Sequence, residues 1–214
     1  MTLKTDPPHL AYEQELWQHG ILLVAGLDEA GRGALAGPVA AGAIILPADD
    51  PYLALTLACC RDSKQLSPRQ REMCVPLIRE AALAWAVAFA SAEEIDALGI
   101  VRATRLAAVR ALEGLSIQPH FLLTDFRLEL PESELPQISV VKGDARCLSI
   151  AAASVLAKTT RDALMCEYGK RYRGYGLDQN KGYGTRAHRI ALMRLGRSSV
   201  HRQSFALKKT VPNP

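Results

Sequence analysis

Acidic residues follow apolar runs at three separate places in the chain. Asp28 and Glu29 directly follow the first run, Asp125 follows the second, and Asp144 comes soon after the third. A carboxylate at the end of a buried strand is costly unless something compensates its charge. Sites in open α/β sheets form outside the carboxyl ends of the strands. We therefore expect the four carboxylates to converge if the three strands are neighbours.

Four carboxylates at one sheet edge cannot all stay ionised without a counter-charge from protons or cations. Oxygen ligands without clustered cysteine or histidine favour Mg²⁺ or Mn²⁺ over zinc. Two such ions, roughly 3.5–4 Å apart, can bind both the attacking and the leaving oxygen of a phosphodiester. The pattern thus predicts that Asp28, Glu29, Asp125 and Asp144 are metal ligands and catalytic residues.

Each acid also has a simpler interpretation. Asp28 could begin a turn, Asp125 could cap the following loop, and Asp144 precedes a helix and could be its N-cap. Neighbouring strand residues point to opposite faces. Asp28 and Glu29 are therefore expected to share a site only if the strand stops near Asp28 and the following glycines turn Glu29 back.

Apolar runs and helical periodicity predict the elements that position these acids. Three strands come first, and two later strands alternate with helices, which favours an antiparallel meander extended by parallel strands. The expected fold class is a mixed α/β sheet with helices on its faces. The predicted strands are 21–28, 39–46, 85–90, 121–125 and 138–141, and the main predicted helices are 68–83, 101–115, 147–168 and 185–195.

The glycine-rich segment 31–36 matches a dinucleotide-binding fingerprint that follows a strand. That fingerprint requires a helix whose N-terminus holds the pyrophosphate. Here Gly37-Pro38-Val39 and a β-like run follow instead, and Asp28-Glu29 would repel phosphate unless a metal lay between them. We expect the glycines to let the main chain approach a sugar–phosphate backbone closely.

Composition narrows the class of protein. Hydrophobic residues make up 49% and charged residues 22% of the 214 residues, which favours a globular protein with a real core. The first residues lack the apolar stretch of a signal peptide, and no apolar run is long enough to span a bilayer, so a cytoplasmic location is expected. The five cysteines form no C-x-x-C pair, so neither disulfides nor structural zinc is predicted. The net charge of +4 is a weak indication of nucleic acid.

Several motifs occur in one order over roughly residues 22–205. They are GLDEAGRGALAGPVAAGAIIL, Asp62-Ser63-Lys64-Gln65-Leu66-Ser67, Val141-Lys142-Gly143-Asp144 with SIAAASVLAKTTRD, Asn180-Lys181-Gly182-Tyr183-Gly184-Thr185, and Val200-His201-Arg202-Gln203-Ser204-Phe205. Together they resemble the motifs of ribonuclease HII, the bacterial type 2 ribonuclease H. Any one of them alone would not be specific.

This resemblance implies a ribonuclease H-like mixed five-stranded sheet flanked by helices, with a C-terminal helical extension. Residues 21–168 would form the catalytic domain and 169–207 a substrate-binding loop and helical region, between an N-terminal extension (1–20) and a frayed tail (208–214). The implied activity is endonucleolytic cleavage of RNA paired to DNA, and incision 5′ of a ribonucleotide in a duplex. It would leave 3′-hydroxyl and 5′-phosphate ends, with a role in removing ribonucleotides and RNA primers from DNA.

The resemblance also implies residue roles. Asp28, Glu29, Asp125 and Asp144 match the family's metal-site acids. Gly31-Arg32-Gly33 matches the loop that reads the ribose 2′-hydroxyl, Tyr183 matches the tyrosine at the RNA-to-DNA junction, and Lys64 gains a phosphate role. The family usually has Asp-Gly where this chain has Asp125-Phe126, so the end of this strand is expected to be shaped differently.

A stripe of residues on the longest predicted helix could bind backbone phosphates. Ser154, Lys158 and Arg161 are three or four residues apart and so share one side of the helix. The alternative is a solvated helix face, which we favour for Arg161. Tyr183 could simply pack, although its place between two glycines favours stacking on a sugar.

The expected partners are RNA/DNA hybrids and ribonucleotide-containing duplex DNA, with Mn²⁺ or Mg²⁺ as cofactor. We expect a monomer with no membrane association. One alternative is another nuclease of the same fold, such as a junction resolvase or a transposase-like strand cutter, which needs no 2′-hydroxyl. The other is a hybrid-binding module without catalysis, against which the retention of all four acids argues.

Overall fold

The computed structural model describes residues 7–60 and 66–207 and contains a five-stranded mixed sheet. Its spatial order is β3-β2-β1-β4-β5. The strands are β1 (Val24–Ala30), β2 (Val39–Ile45), β3 (Ala84–Ala90), β4 (Phe121–Asp125) and β5 (Gln137–Val140). The helices are α1 (Ala11–Gln18), α2 (Leu53–Thr56), α3 (Pro68–Ala81), α4 (Ala92–Leu98), α5 (Ile100–Glu113), α6 (Gly143–Arg146), α7 (Leu148–Arg171), α8 (Leu177–Asn180) and α9 (Arg186–Leu195).

The sheet combines an antiparallel meander with two parallel strands. β1 pairs antiparallel with β2, and β2 pairs antiparallel with β3. β4 lies parallel to β1 on the other side, and β5 lies parallel to β4. This confirms the predicted fold class and the predicted division between the first three strands and the last two.

Two helices cover opposite faces of the central strands. Because side chains alternate along a strand, Ala43 and Ile45 of β2 pack in one core with α5, whereas Ile44 packs in a second core with α3 and α7. β1 and β2 bury nearly every side chain, as strands covered on both faces must. Along α7, residues 148–157 are all buried. The sheet and α7 thus form a rigid base for the carboxyl end of β1.

The N-terminal helix completes the start of α7. Glu13 of α1 is fully buried, and its Oε1 accepts a hydrogen bond from the Ser149 backbone N–H at 2.8 Å. The N-cap of α7 is Cys147, whose side chain makes no capping hydrogen bond. A carboxylate from a distant helix therefore satisfies an N–H that the first turn of α7 leaves without a helical partner.

The C-terminal region packs on the loop that follows β1. Ala36 of that loop shares a small core with Met165 of α7, Leu177 of α8 and Leu192 of α9. The Leu35 N–H donates to the Gly182 carbonyl at 2.8 Å, so the main chains of the two segments are joined directly. Within the described residues, no helix combines the length and apolarity that a membrane crossing requires.

Candidate active site

Three of the predicted acids form one group. Asp28, Glu29 and Asp125 each place a carboxylate oxygen within 4.8 Å of the other two. They meet because β1 and β4 are parallel neighbours, and parallel strands end at the same edge of a sheet. Asp28 is buried, whereas Glu29 and Asp125 are partly exposed to the pocket in front of them.

The expectation that the two acids share a site only if β1 stops near Asp28 and the glycines turn Glu29 back was wrong. β1 continues to Ala30, because β2 pairs with it as far as the Ala30–Ala40 pair. Pairing with β4 ends earlier, at Leu27 and Thr124. Beyond Leu27, one edge of β1 therefore faces the pocket instead of a neighbouring strand, and both acids reach the site without a turn between them.

Asp144 lines the same pocket but lies outside the group of three carboxylates. It is a buried residue in the short helix α6, and the N-caps of α6 and α7 are Lys142 and Cys147. The N-cap interpretation of Asp144 is therefore wrong. α6 is fixed to the group by Gly143, whose backbone N–H donates to Asp125 Oδ1 at 2.8 Å.

The electrostatics of the group favour a cation. Burial raises the pKa of Asp28 well above its ordinary value, and the negative charges of Glu29 and Asp125 raise it further. A hydrogen bond from Ser154 opposes this increase. The donor set consists of carboxylate oxygens only, which is the set that Mg²⁺ and Mn²⁺ prefer. These residues fit a divalent ion, whose charge would make the ionised group tolerable.

The predicted nucleic-acid residues surround these acids in a pocket of about 780 Å³. Gly31, Arg32, Gly33, Lys158 and Tyr183 all line it. The Lys158 Nζ lies 5.1 Å from the centroid of the Tyr183 ring and forms an ion pair with Asp162 at 2.7 Å. Cationic, aromatic and acidic groups thus line the same pocket. This combination suits a charged, sugar-containing polymer.

Other members of the predicted phosphate-binding set have different places. Ser154 is buried and bonds to Asp28, so it orients a carboxylate, and the phosphate contact expected of it stays a prediction. Lys64 falls in 61–65, outside the described residues. Of the stripe on α7, Lys158 alone lines the pocket.

Arg161 is neither solvated nor free to bind phosphate, so both predictions for it were wrong. It is fully buried and donates to the carbonyls of Pro38 (2.8 Å), Lys181 (3.0 Å) and Ala36 (3.1 Å). The physical reason is that the loop after β1 and the residues before α9 fold over this side of α7. Burial lowers the pKa of Arg161, and its guanidinium donors are satisfied by main-chain oxygens.

His188 and His201, which the sequence suggests are structural or phosphate-facing, form a buried pair behind Tyr183 that sequence reasoning did not foresee. The Nε2 atoms of His188 and His201 lie 3.2 Å apart. His188 Nδ1 lies 3.0 Å from the Tyr183 carbonyl, and the Ser198 N–H donates to His201 Nδ1 at 3.0 Å. These contacts are consistent with two neutral rings, with His201 Nε2–H donating to His188. Desolvation lowers the pKa of both, that of His201 to about 4.

Phe126 occupies the position after Asp125 without backbone strain. Among the described residues that are not glycine, only Lys142 and Lys181 have a positive φ. The Phe126 N–H donates to the Val140 carbonyl at 3.0 Å, and its exposed ring lines the pocket. A bulky residue therefore fits here, and Asp125 still reaches the other two acids.

Comparison with solved structures identifies the class of proteins to which this fold belongs. The ribonuclease H2 of Pyrococcus horikoshii matches with a TM-score of 0.71 and 25% identity, over 85% of this chain and 93% of that one. The ribonuclease HII of Archaeoglobus fulgidus, solved in complex with PCNA, matches with a TM-score of 0.73 and 24% identity, over 89% of this chain and 98% of that one. The mixed sheet and its flanking helices are those of the type 2 ribonucleases H, and proteins of this class are endonucleases that hydrolyse phosphodiesters.

The sequence comparisons are more specific. The family model for Ribonuclease HII matches residues 25–208. The ribonuclease HII of Desulfitobacterium hafniense (strain Y51) is 52% identical over 92% of this chain and 74% of its own length. That of Thermus thermophilus is 49% identical over 91% of both chains. The chain belongs to the ribonuclease HII family.

Proposed function

We propose that the chain hydrolyses the RNA strand of RNA/DNA hybrids and incises duplex DNA on the 5′ side of embedded ribonucleotides. The products carry 3′-hydroxyl and 5′-phosphate ends. The observation that carries this proposal is one pocket in which Asp28, Glu29 and Asp125 group together beside Tyr183 and the glycine loop, which is residues 31–38 between β1 and β2. Acids for phosphodiester chemistry and groups that suit a ribose thus line the same pocket.

The metal role follows from the donor set. Asp28, Glu29 and Asp125 would hold Mg²⁺ or Mn²⁺, and Asp144 would contribute to a second ion. Bound dications supply activation of the attacking water and neutralisation of charge on the leaving 3′-oxygen. The protein's own contribution is to orient the ligands: Ser154 bonds to Asp28, and the Gly143 N–H bonds to Asp125.

The walls of the pocket would select the substrate. Gly31, Arg32 and Gly33 line the pocket, and their main-chain groups would bond the ribose 2′-hydroxyl, which distinguishes RNA from DNA. Tyr183 would stack on the sugar at the junction, and Lys158 beside it would attract a backbone phosphate. In the cell the enzyme would act as a cytoplasmic monomer that removes ribonucleotides and RNA primers from DNA.

A cleavage assay tests this function. A labelled DNA duplex with one ribonucleotide is incubated with the protein and Mg²⁺ or Mn²⁺, beside an all-DNA duplex of the same sequence. We expect one cut on the 5′ side of the ribonucleotide, no cut in the control, and no cut with a chelator or in Asp28→Asn.

Each of the other outcomes would indicate one of the alternative functions. Cleavage of the all-DNA duplex at a similar rate would indicate a nuclease that does not read ribose. Tight binding of hybrid without turnover at any concentration of either ion would indicate a binding module. Either result would refute the proposed function.

A further inference from the structure

Arg202 is a buried cation attached to the glycine loop. Its side chain is 1% exposed. Nη2 donates to the Gly31 carbonyl at 2.7 Å, Nη1 to the Arg32 carbonyl at 2.8 Å, and Nε to the Gly37 carbonyl at 3.0 Å. All three guanidinium nitrogens are therefore engaged by main-chain oxygens of one loop.

These bonds fix the direction of two backbone N–H groups. The described residues contain no cis peptide bond, and in a trans peptide the C=O and the following N–H point in opposite directions. Because the carbonyls of Gly31 and Arg32 point inward to Arg202, the N–H groups of Arg32 and Gly33 point outward. Both of these residues line the pocket that contains the acids.

We propose that Arg202 is a positioning residue for ribose recognition, which holds the Arg32 and Gly33 N–H groups toward the substrate's 2′-hydroxyl oxygen. This inference rests on the proposed function, since it needs a ribonucleotide in the pocket. It assigns Arg202 no contact with substrate. Its effect is exerted through the two peptide planes.

The surroundings of the loop support this role. Gly31 has a φ of +89°, and a Cβ added there would overlap the Arg161 side chain. The loop is thus pressed against one buried arginine and hydrogen-bonded to another, so its peptide planes have little freedom. Burying a guanidinium is costly unless its donors are satisfied, and here the acceptors are the carbonyls whose direction matters.

The test compares the binding affinities of two duplexes under conditions in which neither duplex is cleaved. In an Asp28→Asn background with Mg²⁺, binding is measured for two duplexes that differ only in one 2′-hydroxyl. The ratio of the two affinities is the ribose preference. Arg202→Lys keeps the charge, but a compact ammonium cannot span the three carbonyls that the guanidinium reaches. We expect the ribose preference to fall about fivefold to tenfold, the equivalent of roughly one hydrogen bond.

A stability control separates positioning from general loosening. Ile78→Val removes a methylene from a fully buried side chain in the core with α7, and Ile78 does not line the pocket. It should lower the melting temperature and leave the ribose preference at the parent value. An unchanged preference in Arg202→Lys would overturn the inference, while the proposed function would stand. If the Asp28→Asn parent itself bound the two duplexes equally well, that result would refute the proposed function, independently of Arg202.

A second measurement applies if Arg202→Lys does not fold. Amide hydrogen exchange of Arg32 and Gly33 is followed in the same Asp28→Asn parent with each duplex. The inference predicts that both amides exchange more slowly with the ribonucleotide duplex than with the all-DNA duplex. Equal exchange with the two duplexes would contradict it.

Discussion

Asp28 on β1 and Asp125 at the end of β4 place carboxylate oxygens within 4.8 Å of each other, although the two residues are far apart along the chain. The parallel pairing of β1 with β4 produces this proximity. Burial raises the pKa of Asp28 well above its ordinary value, and the negative charges of Glu29 and Asp125 raise it further. The metal-free protein therefore bears an electrostatic cost that a bound dication would remove.

The first prediction concerns Asp28 and pH. In the folded protein the pKa of Asp28 lies above its unfolded value of about 3.9. Between these two values the folded state binds more protons, so the unfolding free energy of the metal-free protein falls as pH rises through that window. Asp28→Asn removes this contribution and should make the chelated protein more stable than the parent at neutral pH. Denaturant unfolding with a chelator across the pH range measures it.

The control for that experiment is Glu132→Gln, which neutralises an exposed carboxylate between β4 and β5. This variant should follow the parent curve. If the Asp28→Asn curve also followed the parent curve, a raised pKa of Asp28 in the folded protein would be refuted.

The second prediction separates two acids. Asp125 belongs to the group of three carboxylates, whereas Asp144 lies outside it. Asp125→Asn should abolish the rise in melting temperature that Mg²⁺ or Mn²⁺ gives the parent, and should lower kcat about 100-fold or more. Asp144→Asn should keep most of that rise while it also lowers kcat. Equal loss of the metal-induced rise in both variants would show that Asp144 is as important to the first ion as Asp125.

The third prediction uses two glycines of one loop. Gly31 has a φ of +89°, and a Cβ there would overlap Arg161, whereas nothing lies within 4 Å of a Cβ at Gly33. Gly31→Ala should therefore cost about 1–3 kcal/mol of unfolding free energy. Gly33→Ala should change it by less than about 0.5 kcal/mol. Denaturant unfolding compares the pair, and equal costs would refute the described packing of the loop.

The fourth prediction concerns the buried histidines. Desolvation lowers the pKa of His201 to about 4 and also lowers that of His188. The unfolded chain therefore binds more protons below its histidine pKa of about 6.5, and stability is lost as pH falls from there toward 4. His201→Asn should lose less stability than the parent over this window. The difference between the two proteins is the quantity to measure, because the contribution of Asp28 has the opposite sign and cancels in it.

If His201→Asn and the parent lost the same stability between these pH values, the buried neutral state of His201 would be refuted. Asp50→Asn offers a comparison in which a carboxylate at a turn is neutralised outside the pocket. In this variant the two histidines should contribute to the loss of stability at low pH as they do in the parent.

The sequence was sufficient to predict the sheet and the meeting of three acids. Each acid follows an apolar run, and parallel strands share an edge, so the proximity of Asp28 and Asp125 follows from local pattern and one topological rule. The sequence was not sufficient to predict where each strand pairing ends. β1 pairs with β2 as far as Ala30 but with β4 only as far as Leu27. This difference decides how Glu29 reaches the site.

The buried arginines and histidines were outside the reach of sequence patterns. Spacing along α7 put Arg161 on the same stripe as Lys158, but periodicity does not say which part of a stripe another segment covers. Apart from the Lys181 carbonyl, the acceptors of Arg161 and Arg202 are carbonyls of residues 31–38, far away along the chain. Every residue has a carbonyl, so no residue type marks such a partner in the sequence.

The central claim is that Asp28, Glu29 and Asp125 hold a divalent ion. Anomalous diffraction from crystals soaked in Mn²⁺ tests it most directly. The account predicts an anomalous peak about 2.0–2.3 Å from an oxygen of Asp28 and an oxygen of Asp125. A well-ordered site with no peak there at saturating Mn²⁺, or a peak that contacts neither carboxylate, would contradict it.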